Sequence, residues 1–137
     1  MDINFGDNDT LSAIVASMIH ADLLLLLTDI DGLYTDDPRV NPNATLIPVV
    51  ERIDDKIESM AKGAQSQYGT GGMTTKIAAA KIATNSDSDM VILSGDDIGN
   101  ISRVLNGENV GTLFKAYKEH DFDIVKYIIH KEYLEGV

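Results

Sequence analysis

The 137-residue chain has no cysteine and no tryptophan, only three prolines, and half as many basic as acidic side chains. Without cysteine there is no disulfide scaffold, thiolate zinc site or catalytic thiol, and the composition fits a reducing compartment. Eleven Lys and Arg against 22 Asp and Glu give a formal net charge of −11. That balance argues against sequence-independent nucleic-acid binding, which needs a cationic footprint, and against an anionic membrane surface. The longest aliphatic run, residues 23–27, is far short of the ~20 residues that span a bilayer. Met1, Asp2, Ile3 and Asn4 offer neither a basic nor an apolar signal region, so no secretory leader is expected. His20, His120 and His130 lack metal-ligand spacing, and no metal site is expected. An EF-hand loop counted from Asp7 puts Ser12 where glycine belongs and Met18 where the closing glutamate belongs. With 44% hydrophobic residues, the chain reads as one soluble, cytoplasmic domain.

What is present is organised. Leu11, Ile14, Val15, Met18 and Ile19 recur at helical spacing, which predicts an amphipathic helix with that stripe inward and Asp9 as its N-cap. Residues 23–27 form a short, wholly apolar run bounded by turns, as in a parallel strand covered on both faces. Residues 29–44 hold the turn chemistry of a long loop, Asp31-Gly32, Asp37-Pro38 and Asn41-Pro42. Residues 46–50 suggest an edge strand because of Pro48, and residues 54–62 a helix with Ile57 and Met60 inward. A glycine-rich loop spans 63–73, and a strong helix follows over 74–85 with a capping threonine at its start. Residues 90–93 read as a second buried strand, parallel to the first and central with it. A helix over 98–105 and a strand over 112–114 complete the alternation of an α/β domain. Phe122, Val125 and Ile129 suggest a stripe on a terminal helix.

Three stretches can carry chemistry. In Gly69-Thr70-Gly71-Gly72-Met73-Thr74-Thr75-Lys76, glycines let backbone N–H groups approach an anion, and the following helix presents its positive end. The order differs from the common phosphate loop, whose lysine follows glycine and precedes Ser or Thr; a plain turn before a helix is the competing reading. Gly6-Asp7-Asn8-Asp9 puts two carboxylates and an amide at a helix start, suited to an amine, a lysine or a metal, or to an ordinary capped turn. Thr28-Asp29-Ile30-Asp31-Gly32 leaves a buried strand at the carboxyl end, where open α/β sheets bind ligands; alone, it reads as a turn.

Taken in order, these stretches resemble the amino-acid kinase family, and within it the members that phosphorylate L-glutamate. The matching residues are Phe5-Gly6-Asp7-Asn8-Asp9-Thr10-Leu11-Ser12-Ala13, Leu25-Leu26-Leu27-Thr28-Asp29-Ile30-Asp31-Gly32-Leu33-Tyr34-Thr35 with Asp37-Pro38-Arg39, the octamer ending at Lys76, and Glu108-Asn109-Val110-Gly111-Thr112-Leu113-Phe114. The resemblance covers residues 3–115. It implies an α/β fold whose mostly parallel sheet is sandwiched by helices, as a partial domain. Residues 1–115 would be the C-terminal, nucleotide-binding half of a kinase domain and 116–137 a helical tail.

The resemblance also implies transfer of the γ-phosphoryl group of ATP, with Mg2+, to the glutamate side-chain carboxylate, the first step of proline synthesis. Lys76 matches the lysine on the transferring group, Asp9 the aspartate that orients the catalytic lysines, and Asn8 a glutamate contact. Thr28, Asp29, Thr70, Gly71, Gly72, Met73, Thr74, Thr75 and Lys76 match nucleotide contacts. In the family, about half of the kinase domain precedes the Gly-Asp-Asn-Asp motif and carries a second lysine, so this chain alone is expected to turn over little. A non-catalytic ATP-binding half-domain that pairs with another chain is the alternative. Kinases acting on acetylglutamate, aspartate, carbamate or a nucleotide form a third reading. Homo-oligomerisation, or pairing through surface left open, is expected as well.

Overall fold

In a computed structural model, residues 5–65 and 72–130 are described. Helix α1 (Phe5–Met18) leads into β1 (Leu23–Thr28), a long excursion, and β2 (Val49–Val50). Helices α2 (Asp55–Gln65) and α3 (Gly72–Thr84) precede β3 (Asp89–Ser94), α4 (Gly99–Leu105), β4 (Thr112–Phe114) and α5 (Ile124–His130). The four strands form one sheet in the order β1-β3-β4-β2. β1 runs parallel to β3 and β2 parallel to β4, while β3 and β4 are antiparallel. The sheet is therefore mostly parallel, as the sequence implies.

The two apolar strands are parallel, with Leu24 beside Met90 and Leu26 beside Ile92. Their positions differ from expectation. β3 is central and fully buried at Met90, Ile92 and Leu93, but β1 is an edge strand, and Leu23 and Leu27 on its second face are exposed. An apolar run signals that both faces suit a dry environment; it does not say that this chain supplies the cover.

Helix α3 is buried on nearly every side, which suits its Ile77-Ala78-Ala79-Ala80 stretch. It packs between α1 and α2 and over β3. Its alanines admit only small partners at close approach, so α1 turns Ala13 and Ala16 inward. The predicted inward stripe is reversed: Leu11, Val15, Met18 and Ile19 face out, and only Ile14 touches the core. α1 also begins at Phe5, so Asp9 lies inside the helix and does not cap it. Asp54 caps α2, accepting the Ile57 N–H at 3.0 Å. The stripe on α5 is likewise shifted, with Ile124, Tyr127 and Ile128 against the core and Val125 and Ile129 exposed.

Among the described residues, two non-glycines take the left-handed backbone conformation, His20 (φ 55°) and Asp87 (φ 63°). Each ends a helix, and the amides of Ala21 and Ser88 reach back to the carbonyls of Ala16 and Ala83 at 2.9 and 3.0 Å. Asp87 tolerates the position because a short polar side chain lowers the cost.

The excursion between β1 and β2 is ordered by polar contacts. The buried Thr112 hydroxyl accepts the Leu33 N–H at 2.9 Å and donates to the Ile47 carbonyl at 2.6 Å. Asp37 is buried, accepting Arg39 N–H and Nε through Oδ1 at 3.0 and 2.9 Å and Nη2 through Oδ2 at 3.1 Å. Hydrogen bonds from Arg39 hold its carboxyl below the usual carboxylate range. The unfolded chain then binds more protons, so this pair stabilises the fold fully above pH ~4 and progressively less as pH falls toward the lowered value. Asp37→Asn should lower Tm at neutral pH and flatten the acid limb of a Tm–pH profile. An acid limb as steep as that of the wild type would count against the pair.

Candidate active site

Topology gathers the candidate residues at one end of the sheet. α1 and α3 each feed through a short turn into β1 and β3. Each therefore runs antiparallel to the strand it precedes, and its N-terminus lies beside that strand's carboxyl end. Because β1 and β3 are parallel, both helix starts and both strand ends share one rim, the rim where open α/β sheets bind ligands.

At that rim, one oxygen organises the helix starts. Asp9 Oδ2 accepts the Thr75 hydroxyl at 2.9 Å and the Lys76 ammonium at 3.3 Å. The pair is secluded, with 8% of the Lys76 side chain and 10% of the Asp9 side chain exposed. Thr75 Oγ1 also lies 3.1 Å from the Gly72 carbonyl oxygen, which fixes its rotamer. Among the described residues Asp9 Oδ1 has no hydrogen-bond partner, and Lys76 uses one of its three donors. A buried ammonium anchored by one carboxylate oxygen, with donors in reserve, suits a negatively charged group arriving from outside.

Asn8 is exposed on the same turn of α1 as Asp9. Thr28 closes the end of β1, donating to the Ile30 carbonyl at 2.7 Å and accepting the Ile30 N–H at 3.0 Å. Its own carbonyl accepts the Gly95 N–H at 2.8 Å, tying the two strand ends together. Asp29 is exposed just beyond. Gly72, Met73, Thr74 and Thr75 form the first turn of α3, which starts two residues earlier than the sequence predicts, with Gly72 at φ 48°. Met73 is buried in the core, so only its backbone faces the rim. Thr70 and Gly71 lie outside the described residues.

Sequence reasoning missed the Thr75–Asp9 bond, which joins residues 66 apart, and the turn after β3. There Ser94 Oγ accepts the Asp96 N–H at 3.2 Å. Hydrogen bonds from Arg103 and the Gly99 N–H hold the Asp97 carboxyl below its ordinary value. Among the described residues no group of three or more His, Asp or Glu converges to hold a metal ion, and no helix is long and apolar enough to cross a membrane. A cleft of about 370 Å3 lies at the other end of α3, lined in part by Arg52, Glu58, Lys81, Thr84 and Lys115. Its cations are already paired, Arg52 with Glu119, Lys81 with Glu58 and Lys115 with Glu51.

The chain belongs to the amino acid kinase family, whose sequence profile matches residues 2–94. Within it, the chain is 57% identical over 118 residues to a glutamate 5-kinase of Carboxydothermus hydrogenoformans, covering 86% of this chain and 32% of that protein. A glutamate 5-kinase of Deinococcus radiodurans is 57% identical over 115 residues, 84% of this chain and 32% of the relative. The chain thus spans about a third of the length of these relatives. Among solved structures, a uridylate kinase from Archaeoglobus fulgidus is similar with a TM-score of 0.56 at 25% identity, covering 77% of this chain and 45% of that one.

Proposed function

We propose that this chain carries the phosphoryl-transfer end of a glutamate 5-kinase and acts on Mg-ATP and L-glutamate in the cytoplasm. The observation that carries the reading is the secluded Lys76 ammonium at the sheet's carboxyl rim, held by Asp9. In the proposed reaction a glutamate side-chain carboxylate oxygen forms a bond to the γ-phosphorus. The bond to the bridging oxygen breaks, and ADP leaves. The acceptor is already ionised at neutral pH, so no base is required, and catalysis rests on positioning and charge. Lys76 offsets charge on the transferring oxygens, while Asp9 fixes its direction without taking a proton. Asn8 contacts glutamate. Thr28, Asp29 and residues 70–76 hold the nucleotide, with Met73 contributing main chain only.

The residues present fit Mg-ATP. Among the described residues, the Lys76 ammonium keeps two further N–H donors for phosphate oxygens, and Mg2+ commonly arrives on such oxygens with most of its waters. We assign nucleotide binding to residues 1–115 and treat 116–137 as a tail. The 57% identity to glutamate 5-kinases supports this substrate over the other amino-acid kinase reactions.

Thermal unfolding with Mg-ATP tests nucleotide binding directly. Ligand at a hundredfold excess over Kd should add about 2.7 kcal/mol of stability. Any release of ADP should depend on L-glutamate, and from this chain alone it should be slow. Absence of any protection by millimolar Mg-ATP would overturn the assignment.

A further inference from the structure

Two neighbouring residues of α3 converge on one oxygen of α1. Thr75 Oγ1 lies 2.9 Å and Lys76 Nζ 3.3 Å from Asp9 Oδ2. Thr75 belongs to the stretch that the proposed reaction places on the nucleotide, but its hydroxyl is already engaged. A hydroxyl carries one hydrogen. Among the described residues two acceptors compete for it, Asp9 Oδ2 at 2.9 Å and the Gly72 carbonyl at 3.1 Å. The carboxylate contact is the shorter and is charge-assisted, so it takes the hydrogen. An ionised phosphate offers acceptors only, and Thr75 has nothing left to donate to it.

The engaged hydroxyl does a different job. A carboxylate turns readily about its terminal torsion, whose wells are broad, and a lysine swings on a flexible four-carbon stem. Held only by each other, the two groups would wander together. Thr75 removes that freedom. A β-branched side chain on a helix is stiff at χ1, and threonine there can set its oxygen beside a carbonyl of the preceding turn. Thr75 does so at Gly72. Asp9 Oδ2 is therefore held from rigid backbone, and the next residue of the same helix brings its ammonium to that fixed point. With only 10% of the Asp9 side chain exposed, little water reaches the pair to replace the hydroxyl.

We propose that Thr75 is a positioning residue: its hydroxyl fixes the Asp9 carboxylate that aims Lys76, and it is not itself a phosphate ligand. The inference rests on the kinase reading for what the ammonium is aimed at, and on the hydrogen bonds alone for how it is aimed. Thr75→Val keeps the shape of the side chain and removes the donor. Thr75→Ser keeps the donor and loosens χ1. Thr75→Ala is a second donorless variant, used if the valine variant does not fold.

Two measurements on the full chain decide. By NMR relaxation of the lysine ammonium groups, Lys76 in the wild type should be far more ordered than the exposed Lys118. Thr75→Val should bring it down toward the Lys118 value, and Thr75→Ser should restore most of the difference. Mg-ATP affinity, by calorimetry without glutamate, should fall about tenfold in Thr75→Val and largely recover in Thr75→Ser. The affinity that Lys76→Met retains, read at millimolar Mg-ATP, should change less than about twofold on adding Thr75→Val, because no ammonium is left to aim. A further loss of about tenfold in that background would make Thr75 a direct ligand and overturn the proposal. So would a Lys76 ammonium as ordered in Thr75→Val as in the wild type. A wild type without Mg-ATP affinity fails the kinase reading instead, and the ammonium order still decides the positioning role.

Discussion

Replacing Lys76 with methionine should cost the protein both stability and its response to ATP, by routes that a second substitution separates. The Asp9 and Lys76 side chains are about nine-tenths buried. Removing the ammonium leaves the carboxylate in a dry place with, among the described residues, the Thr75 hydroxyl as its one remaining donor. Breaking one side of such a buried pair costs about 3–5 kcal/mol, a large part of the ~5–15 kcal/mol that holds a domain together. Replacing both partners, Asp9→Asn with Lys76→Met, removes the orphaned charge while the amide still accepts from Thr75, so most of that stability should return. The ATP response should not return, because the donor proposed for the phosphates is gone. On the proposed reaction, loss of such a donor lowers the rate roughly 10²–10³-fold. Denaturant melts of the wild type, both single variants and the double variant give the coupling energy, and Mg-ATP protection of each gives the functional half. Single variants as stable as the wild type would mean that the pair is energetically idle. Full ATP protection of the double variant would remove Lys76 from the phosphate site.

Much of this arrangement was legible in the residues, but the partners of each face were not. The apolar run of β1 and the alanine-rich α3 announce themselves through composition. The stripe on α1 faces the opposite way to the sequence expectation because periodicity shows that a helix has an apolar face without showing which face this chain buries. Here the alanines of α3 choose Ala13 and Ala16, and the larger residues are left over. Asp9 looked like a cap because polar residues precede an apolar pattern there; the helix instead begins four residues earlier, at Phe5. The edge position of β1 depends on which other strands exist, and no local signal carries that. The Asp9–Lys76 pair was legible only through the order of separated motifs. Its third member, Thr75, and the tie between Thr28 and Gly95 are tertiary facts. After α3 the chain turns without glycine, with Asp87 in the left-handed region.

Gly111→Ala should be among the most damaging single-methyl additions in the described fold, and Gly107→Ala is its built-in control. Both glycines have positive φ, +72° and +86°, so alanine at either pays the left-handed penalty of about 1–2 kcal/mol. Their surroundings differ. A Cβ on Gly107 meets nothing within 4 Å, so the backbone cost is the whole cost. A Cβ on Gly111 falls 2.0 Å from the Ile92 carbonyl oxygen and 3.2 Å from the Leu93 Cα. Those atoms belong to the buried central strand, where Ile92 and Leu93 are fully enclosed, so β3 has no room to withdraw. Relief must come from moving β4. That breaks the Ile92–Thr112 register and the Thr112 hydroxyl bonds to Leu33 and Ile47 that order the excursion after β1. A loss of about 4 kcal/mol or more is expected for Gly111→Ala, in the range reserved for identifiable core damage, against about 1 kcal/mol for Gly107→Ala. Urea melts of the two variants check the difference. Equal losses would show that β4 is not seated against β3 as described, and with it the anchoring of the segment that leads from the candidate nucleotide rim would fail.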